Sequence, residues 1–432
     1  MPSGGQRTFV GFGLGPIQTG LFIHEAERSG AFDRIVVAEV SREVVGAARA
    51  CDGRLAVNIA SADGVRAARL GPVEVLDPAD AGDRETIIAA IAEAAEAATA
   101  IPSTSHYATG GEGSIHRLLA RGIERRGGDP LIVYAAENHT EAAQVLRRVV
   151  LEELGPRSAR SGKGARSVGG ALAGTAFVNT VIGKMSGVIR DRDEIAARRL
   201  EPLAAGLDCA HLVESFNRIL IDRPVLAGGE AAPRGLAAFE EKDDLRPFEE
   251  AKLHGHNAAH ALASYLALAR GARRMAELRG VEGAVPFVRA AFIEEAGAAL
   301  IRRHAGKDPL FAPEAFRAHV DDLIDRMLNP HLGDLAERVG RDPARKLGFG
   351  DRLAGTMRLA LEAGVRPRRF GVGAAAALDH LLPELPPERI GAELERLWSR
   401  ETIDGSMAKE LVRLVEDGAR TLQRFKAGAA LA

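Results

Sequence analysis

Cysteine is nearly absent from this chain. Cys51 and Cys209 are the only two in 432 residues, and no CxxC spacing joins them. That pattern excludes a disulfide framework and a thiolate zinc site, and it fits a reducing compartment. Aromatics make up 4% of the residues, so Ala, Leu and Val must build most of the core. No uncharged run approaches the roughly 18 apolar residues needed to span a bilayer. The opening Met-Pro-Ser-Gly-Gly-Gln-Arg reaches its first apolar run without a signal-peptide core. A cytoplasmic protein with no membrane partner is therefore expected. A basic excess is also lacking: the formal net charge is −2, which argues against general nucleic-acid binding. Lysine is scarce beside arginine, so each lysine is informative.

What is present is globular, with 46% apolar and 27% charged residues and length enough for two ordinary domains. Thr8–Phe12 reads as a buried strand running into Gly13-Leu14-Gly15-Pro16-Ile17, then into a helical pattern stopped by Gly30. A second strand, Arg34–Val40, carries Glu39 at its carboxyl end. In a strand, glycine turn, helix, strand, acid sequence, glycines let the backbone approach a pyrophosphate and the helix N-terminus attracts it. The carboxylate receives a ribose diol and would repel a 2′-phosphate, so NAD is preferred over NADP. The third glycine of G-x-G-x-x-G is replaced by Gln18.

The alternation continues through strands at Leu55–Ile59, Val73–Leu76, Leu131–Ala136, Ala176–Ile182 and Arg218–Ile221, with helices over Glu85–Ala98, Ser114–Arg126 and Thr140–Leu154. It predicts a parallel sheet in an α/β fold, a Rossmann-type domain over residues 1–240. Asn138 falls at a strand end, where it serves either a ligand or the cap of the next helix. Gly155–Gly170, with Arg157, Arg160, Lys163 and Arg166, reads as a basic loop. Beyond residue 245 helical patterns dominate, including Phe248–Arg270, Val288–His304, Pro313–Met327, Gly371–Leu382 and Lys409–Phe425. Residues 241–432 are thus expected to form a mainly helical domain. Lys252 is expected where the two halves meet.

On an ideal helix Lys252, His256, Asn257 and His260 fall within about 140° of arc. An amine, an amide and an imidazole on one side of a helix can take a proton, hold an oxyanion and orient an oxygen. Solvated polar residues on an interdomain helix are the plain alternative. His254, His256 and His260 also suggest a metal hydrolase, but His254 points about 160° from His256 on a helix, so no metal is expected.

At these residues the chain resembles the polyol-specific long-chain dehydrogenases, the mannitol dehydrogenases and their relatives. Lys-x4-Asn-x2-His is that family's catalytic signature, filled in order by Lys252, Asn257 and His260. The turn Gly13-Leu14-Gly15-Pro16-Ile17 is similar to the family's own, and Glu137-Asn138 matches its acid-Asn at a strand end. The block Asn329–Arg352 is similar to the branch acting on polyol phosphates. The resemblance implies Lys252 as general base, Asn138 and Asn257 at the oxyanion, His260 orienting it, and NAD as cofactor. It places substrate contacts at Arg338 and Lys346; Arg341 and Arg345 join them in a basic cluster suited to a phosphate. The implied reaction is reversible oxidation of mannitol 1-phosphate to fructose 6-phosphate, by a monomer or homodimer. Where the family reads Val-Asp-Arg, this chain has Val181-Ile-Gly183, which leaves open an unphosphorylated polyol dehydrogenase, a hexuronate reductase or a non-catalytic nucleotide sensor.

Overall fold

The computed structural model describes residues 7–126, 128–160, 170, 172–399, 401 and 403–431. The chain divides into two compact units, Met1–Leu245 and Arg246–Ala432.

The first unit is built on β1 (Thr8–Phe12), β2 (Arg34–Ala38), β3 (Leu55–Ala60), β4 (Val65–Leu70), β5 (Glu74–Leu76), β6 (Ala94–Thr99), β7 (Leu131–Ala135), β8 (Thr175–Val181), β9 (Ser186–Ile189), β10 (Ala210–Glu214), β11 (Ile219–Asp222) and β12 (Phe239–Lys242). Eight of them form one sheet in the order β12-β11-β8-β7-β6-β1-β2-β5. From β8 to β5 every pairing is parallel, and β11 joins β8 antiparallel. The order reverses direction between β1 and β6, the switch point at which doubly wound sheets bind ligands beyond their strand ends. Helices α1 (His24–Ser29), α2 (Arg42–Ala50), α3 (Ala81–Glu93), α4 (Ile115–Arg125) and α5 (Ala142–Arg160) accompany the sheet. Alternate residues of β1 go to opposite faces: Phe9 joins a core with Phe22, Tyr134 and Phe239, and Val10 a core with Ile87, Ile91 and Leu118. Burial on both faces explains why the strand is apolar without alternation. Phe22 meets Phe239 edge-on with centroids 5.5 Å apart, and burying one such ring contributes about 1.5–3 kcal/mol.

Two expectations need correction. Residues 94–98, read as the end of a helix, form β6 at the centre of the sheet. Alanine favours helix on its own, but Ala97 and Ala98 are fully buried between β1 and β7, and packing overrides a weak propensity. The stretch read as a loop from Gly155 is helical as far as Arg160, since α5 continues through Gly155 and Pro156. Lys163 and Arg166 lie outside the described residues. Sequence patterns also passed over a second sheet, β4-β3-β10-β9, in which β10 pairs parallel with β3.

The second unit is mainly helical. Arg246–Glu250 leads through a π-helical turn, Ala251–His256, into α6 (Asn257–Ala269). Later come α7 (Pro313–Met327), α8 (Arg368–Leu381) and α9 (Gly405–Lys426). Helices α8 and α9 touch backbone to backbone: a Cβ at Gly418 would lie 2.4 Å from the Gly371 carbonyl oxygen. The first turn of α8 has no side-chain cap of its own. Buried Glu295 caps it instead, accepting from the Arg369 N–H at 2.8 Å and the Phe370 N–H at 3.0 Å. Burial pushes the Glu295 carboxyl up to about 7, with those donors opposing.

Candidate active site

In the first unit, the carboxyl ends of β1 and β2 hold the nucleotide-type elements. Gly13 has φ +80°, a left-handed value that favours glycine, and a Cβ there would crowd the Ile101 side chain at 3.0 Å. Gly15 has no such constraint; the nearest atom to a Cβ there would be the Ala100 oxygen at 3.9 Å. The chain itself therefore leaves room beside Gly15, as close approach of a pyrophosphate to backbone requires. Leu14 donates its N–H to Glu39 Oε2 at 2.7 Å, and Ser41 donates to Glu39 Oε1 at 2.7 Å. The Glu39 carboxylate is thus fixed between the glycine turn and the start of α2. Pro16 and Ile17 precede a π-helical turn, Gln18–Ile23, which Thr19 anchors by donating its N–H to the Gly15 oxygen at 3.0 Å. These residues fit a dinucleotide.

Gln18 explains the missing third glycine. That glycine normally permits close helix-strand packing. Here Gln18 is fully buried, and a Cβ at Gly11 on β1 would collide with its amide at 2.3 Å. The relief has moved from helix to strand.

At the next strand ends, Glu137 gathers Thr99 Oγ1 at 2.8 Å, the Ile101 N–H at 3.1 Å and the Tyr107 hydroxyl. Burial raises its carboxyl pKa, while these donors oppose the rise. Asn138 follows directly at the carboxyl end of β7. At the Gly183 departure, the neighbouring Lys184 is buried and donates to the Glu214 and Phe216 carbonyls and to Asn217 Oδ1. It acts as a tie within the unit.

In the second unit the π turn changes the expected geometry. On an uninterrupted α-helix Lys252 and Asn257 would stand about 140° apart. Instead the Asn257 N–H donates to the Lys252 carbonyl, five residues back, so the turn is wider and the angle between these two residues is smaller. Gly255 within the turn lets Phe292 pack against it, since a Cβ there would meet that ring at 2.8 Å. Burial lowers the Lys252 amine to about 8, with Arg352 adding to the fall and Glu249 opposing it. His256 is depressed by burial and then by His260, whose ring lies 6.0 Å away. Burial takes His260 down to about 4 against the pull of Asp334. His254 turns elsewhere, with Nδ1 3.1 Å from Thr356 Oγ1. Among the described residues, no three His, Cys, Asp or Glu side chains are grouped to hold a metal.

Of the four predicted cations, Arg338 and Lys346 both act electrostatically on His260, and Arg345 acts on Lys346. Lys346 is 2% exposed, and burial, then Arg352 and Arg345, lower its amine to about 8. Arg338 donates from Nε to Asp334 Oδ1 at 2.8 Å. Arg345 is exposed and lies 3.8 Å from Asp342 and 3.9 Å from Asp351. Arg341 is exposed as well. Two residues missed by the motifs also belong here. Arg352 is the neighbouring cation common to Lys252 and Lys346. Asp334 lies beside His260; its signal in the sequence was the i, i+4 spacing to Arg338.

The strand order and glycine turn define a Rossmann-type α/β protein with a helical unit after it. The chain belongs to the mannitol dehydrogenase family. A mannitol dehydrogenase C-terminal domain matches residues 244–395. Over 304 residues the chain is 31% identical to mannitol-1-phosphate 5-dehydrogenase of Shouchella clausii, covering 70% of each. It is 35% identical over 264 residues to the protein of that name from Pseudarthrobacter chlorophenolicus, covering 60% of this chain and 59% of that one. The fold is shared with Pseudomonas fluorescens mannitol 2-dehydrogenase, solved as a ternary complex with NAD and D-mannitol. The TM-score is 0.67 at 16% identity, over 97% of this chain and 92% of that one. Among the described residues no helix is long and apolar enough to cross a membrane.

Proposed function

We propose that this chain oxidises a secondary alcohol of a polyol phosphate, mannitol 1-phosphate to fructose 6-phosphate, reversibly and with NAD. The observation that carries the reading is an amine lowered to about 8 on a π turn that also presents Asn257. Such an amine takes the hydroxyl proton near neutral pH. The Asn257 carboxamide donates to the oxygen as it becomes negative, and His260 orients the substrate. Asn138 keeps the oxyanion-contact role the family signature gives it. NAD, when bound, supplies the hydride acceptor. Gly13, Leu14, Gly15, Pro16, Ile17 and Glu39 would hold it, with Glu39 on the ribose diol. Lys346 and Arg352, with Arg338 near them in sequence, favour a phosphorylated substrate over a neutral one.

Initial rates with mannitol 1-phosphate, mannitol and fructuronate, each with NAD and NADP, test the reading. The highest kcat/KM is expected for mannitol 1-phosphate with NAD. Preference for mannitol or fructuronate would move the substrate, and NADH binding without turnover on any of them would favour a sensor.

Glu39 provides a narrower check. In Glu39→Ala the Leu14 and Ser41 N–H groups lose their acceptor and the ribose loses its partner, each costing about 1–3 kcal/mol. The expected result is a rise of about 10- to 100-fold in KM for NAD with a smaller change for NADP, read from kcat/KM on both coenzymes.

A further inference from the structure

His260 and Asp334 face one another with complementary atoms and no hydrogen bond. His260 Nε2 lies 3.8 Å from Asp334 Oδ2, with side chains 14% and 2% exposed. Both atoms are buried and neither has a hydrogen-bond partner among the described residues. A buried donor and acceptor left open in this way call for an explanation, because native interiors satisfy nearly all such groups. The other carboxylate oxygen, Oδ1, is held by Arg338 through Nε at 2.8 Å and Nη2 at 2.6 Å. The backbone behind it is pinned as well: the Met275 N–H donates to the Asp334 carbonyl at 2.9 Å, and the Ala336 N–H donates to the Arg273 carbonyl at 3.0 Å. Asp334 is therefore a rigid platform with one oxygen reserved, and the small movement that closes the gap belongs to the imidazole.

We propose that Asp334 is a positioning residue for His260, accepting its Nε2–H and so keeping Nδ1 as a hydrogen-bond acceptor for a substrate hydroxyl. The inference rests on the polyol reading above and sharpens it. An ionised carboxylate only accepts, so the ring nitrogen facing it must carry the hydrogen, and in a neutral imidazole the other nitrogen is then a lone pair. A lone pair does not stabilise an alkoxide. His260 thus takes a hydrogen from a neighbouring hydroxyl, of which a polyol has one on each side of the reacting carbon. The alkoxide is left to the carboxamides. Arg338 serves the site by fixing Asp334, and its Nη1 stays outside that pair.

The first test needs no variant: nitrogen-15 spectra of the full chain labelled at histidine, with His260 assigned by its loss in His260→Ala. The expected signature is the Nε2–H tautomer, and an Nδ1–H ring in the unmodified protein would overturn the proposal. The second test is Asp334→Asn, whose amide donates toward Nε2 and selects the opposite tautomer. A fall of about 10- to 100-fold in kcat is expected, with KM for NAD unchanged. In a His260→Ala background the same change should cost less than about twofold, because a positioning residue has nothing left to position. Unchanged kcat in folded Asp334→Asn, or full additivity in the double variant, would each overturn it. Should the unmodified chain turn over no polyol, the functional reading fails separately, and the tautomer spectrum alone decides the role of Asp334.

Discussion

Lys252→Ala is expected to lower kcat about 100- to 10,000-fold while leaving the Kd for NADH unchanged, the range that a positioned general base contributes. The expectation follows from the amine's surroundings. Burial and the Arg352 guanidinium disfavour its charged form and hold it near 8, where a free lysine stays protonated far above neutrality. The sign of the pH dependence is fixed by this. A base acts unprotonated, so alcohol oxidation in the unmodified protein should rise with pH and level off above about 8. At pH 6 only about 1% of the amine would be competent. Rate profiles over pH 5.5–9.5 and fluorescence titration with NADH provide both measurements. Near-normal turnover in Lys252→Ala would remove Lys252 from the mechanism, and a flat profile would assign the proton to another group.

Gly418→Leu is expected to unfold the helical unit, with a loss above about 4 kcal/mol, the range reserved for core overpacking and similar faults. A Cβ at this position would sit 2.4 Å from the Gly371 oxygen, 2.5 Å from its carbon and 2.7 Å from the Val372 nitrogen. These are backbone atoms, so no rotamer change relieves the contact and α8 must separate from α9. The crossing is closed from the other side too, since a Cβ at Gly371 would meet the Leu414 oxygen at 2.6 Å. Gly46→Ala is the control. Gly46 lies inside α2 with nothing within 4 Å of the added atom, and alanine there should stabilise by about 0.5–1 kcal/mol. Denaturant melts of the three proteins separate these outcomes; a Gly418→Leu protein as stable as its parent would mean that α8 and α9 do not cross this closely.

Legibility in the sequence followed the physics of each segment. β1 and β7 were readable because strands buried on both faces are apolar throughout, and Pro313–Met327 because proline opens it and its apolar residues recur at helical spacing. β6 was hidden because its alanines favour helix locally and only the neighbouring strands decide otherwise. β4 was hidden because two exposed arginines and two alanines interrupt its apolar residues and leave little strand signal. At the candidate site, Lys252, Asn257 and His260 stood out as types at a spacing. The π turn that sets their directions did not, since one extra residue per turn leaves no mark in composition. Asp334 was obscured for a related reason: its nearness to His260 joins segments more than seventy residues apart, and no local pattern records that.

The exchange between Gln18 and Gly11 has a steric consequence. A Cβ at Gly11 would overlap the Gln18 amide at 2.3 Å, so bulk in the strand is admitted only if the buried glutamine side chain moves aside. Changing either position alone is unequal: glycine for Gln18 leaves a void, whereas a side chain at Gly11 displaces the buried Gln18 amide. The strand residue is the gatekeeper, and relatives that keep glutamine here should keep glycine there.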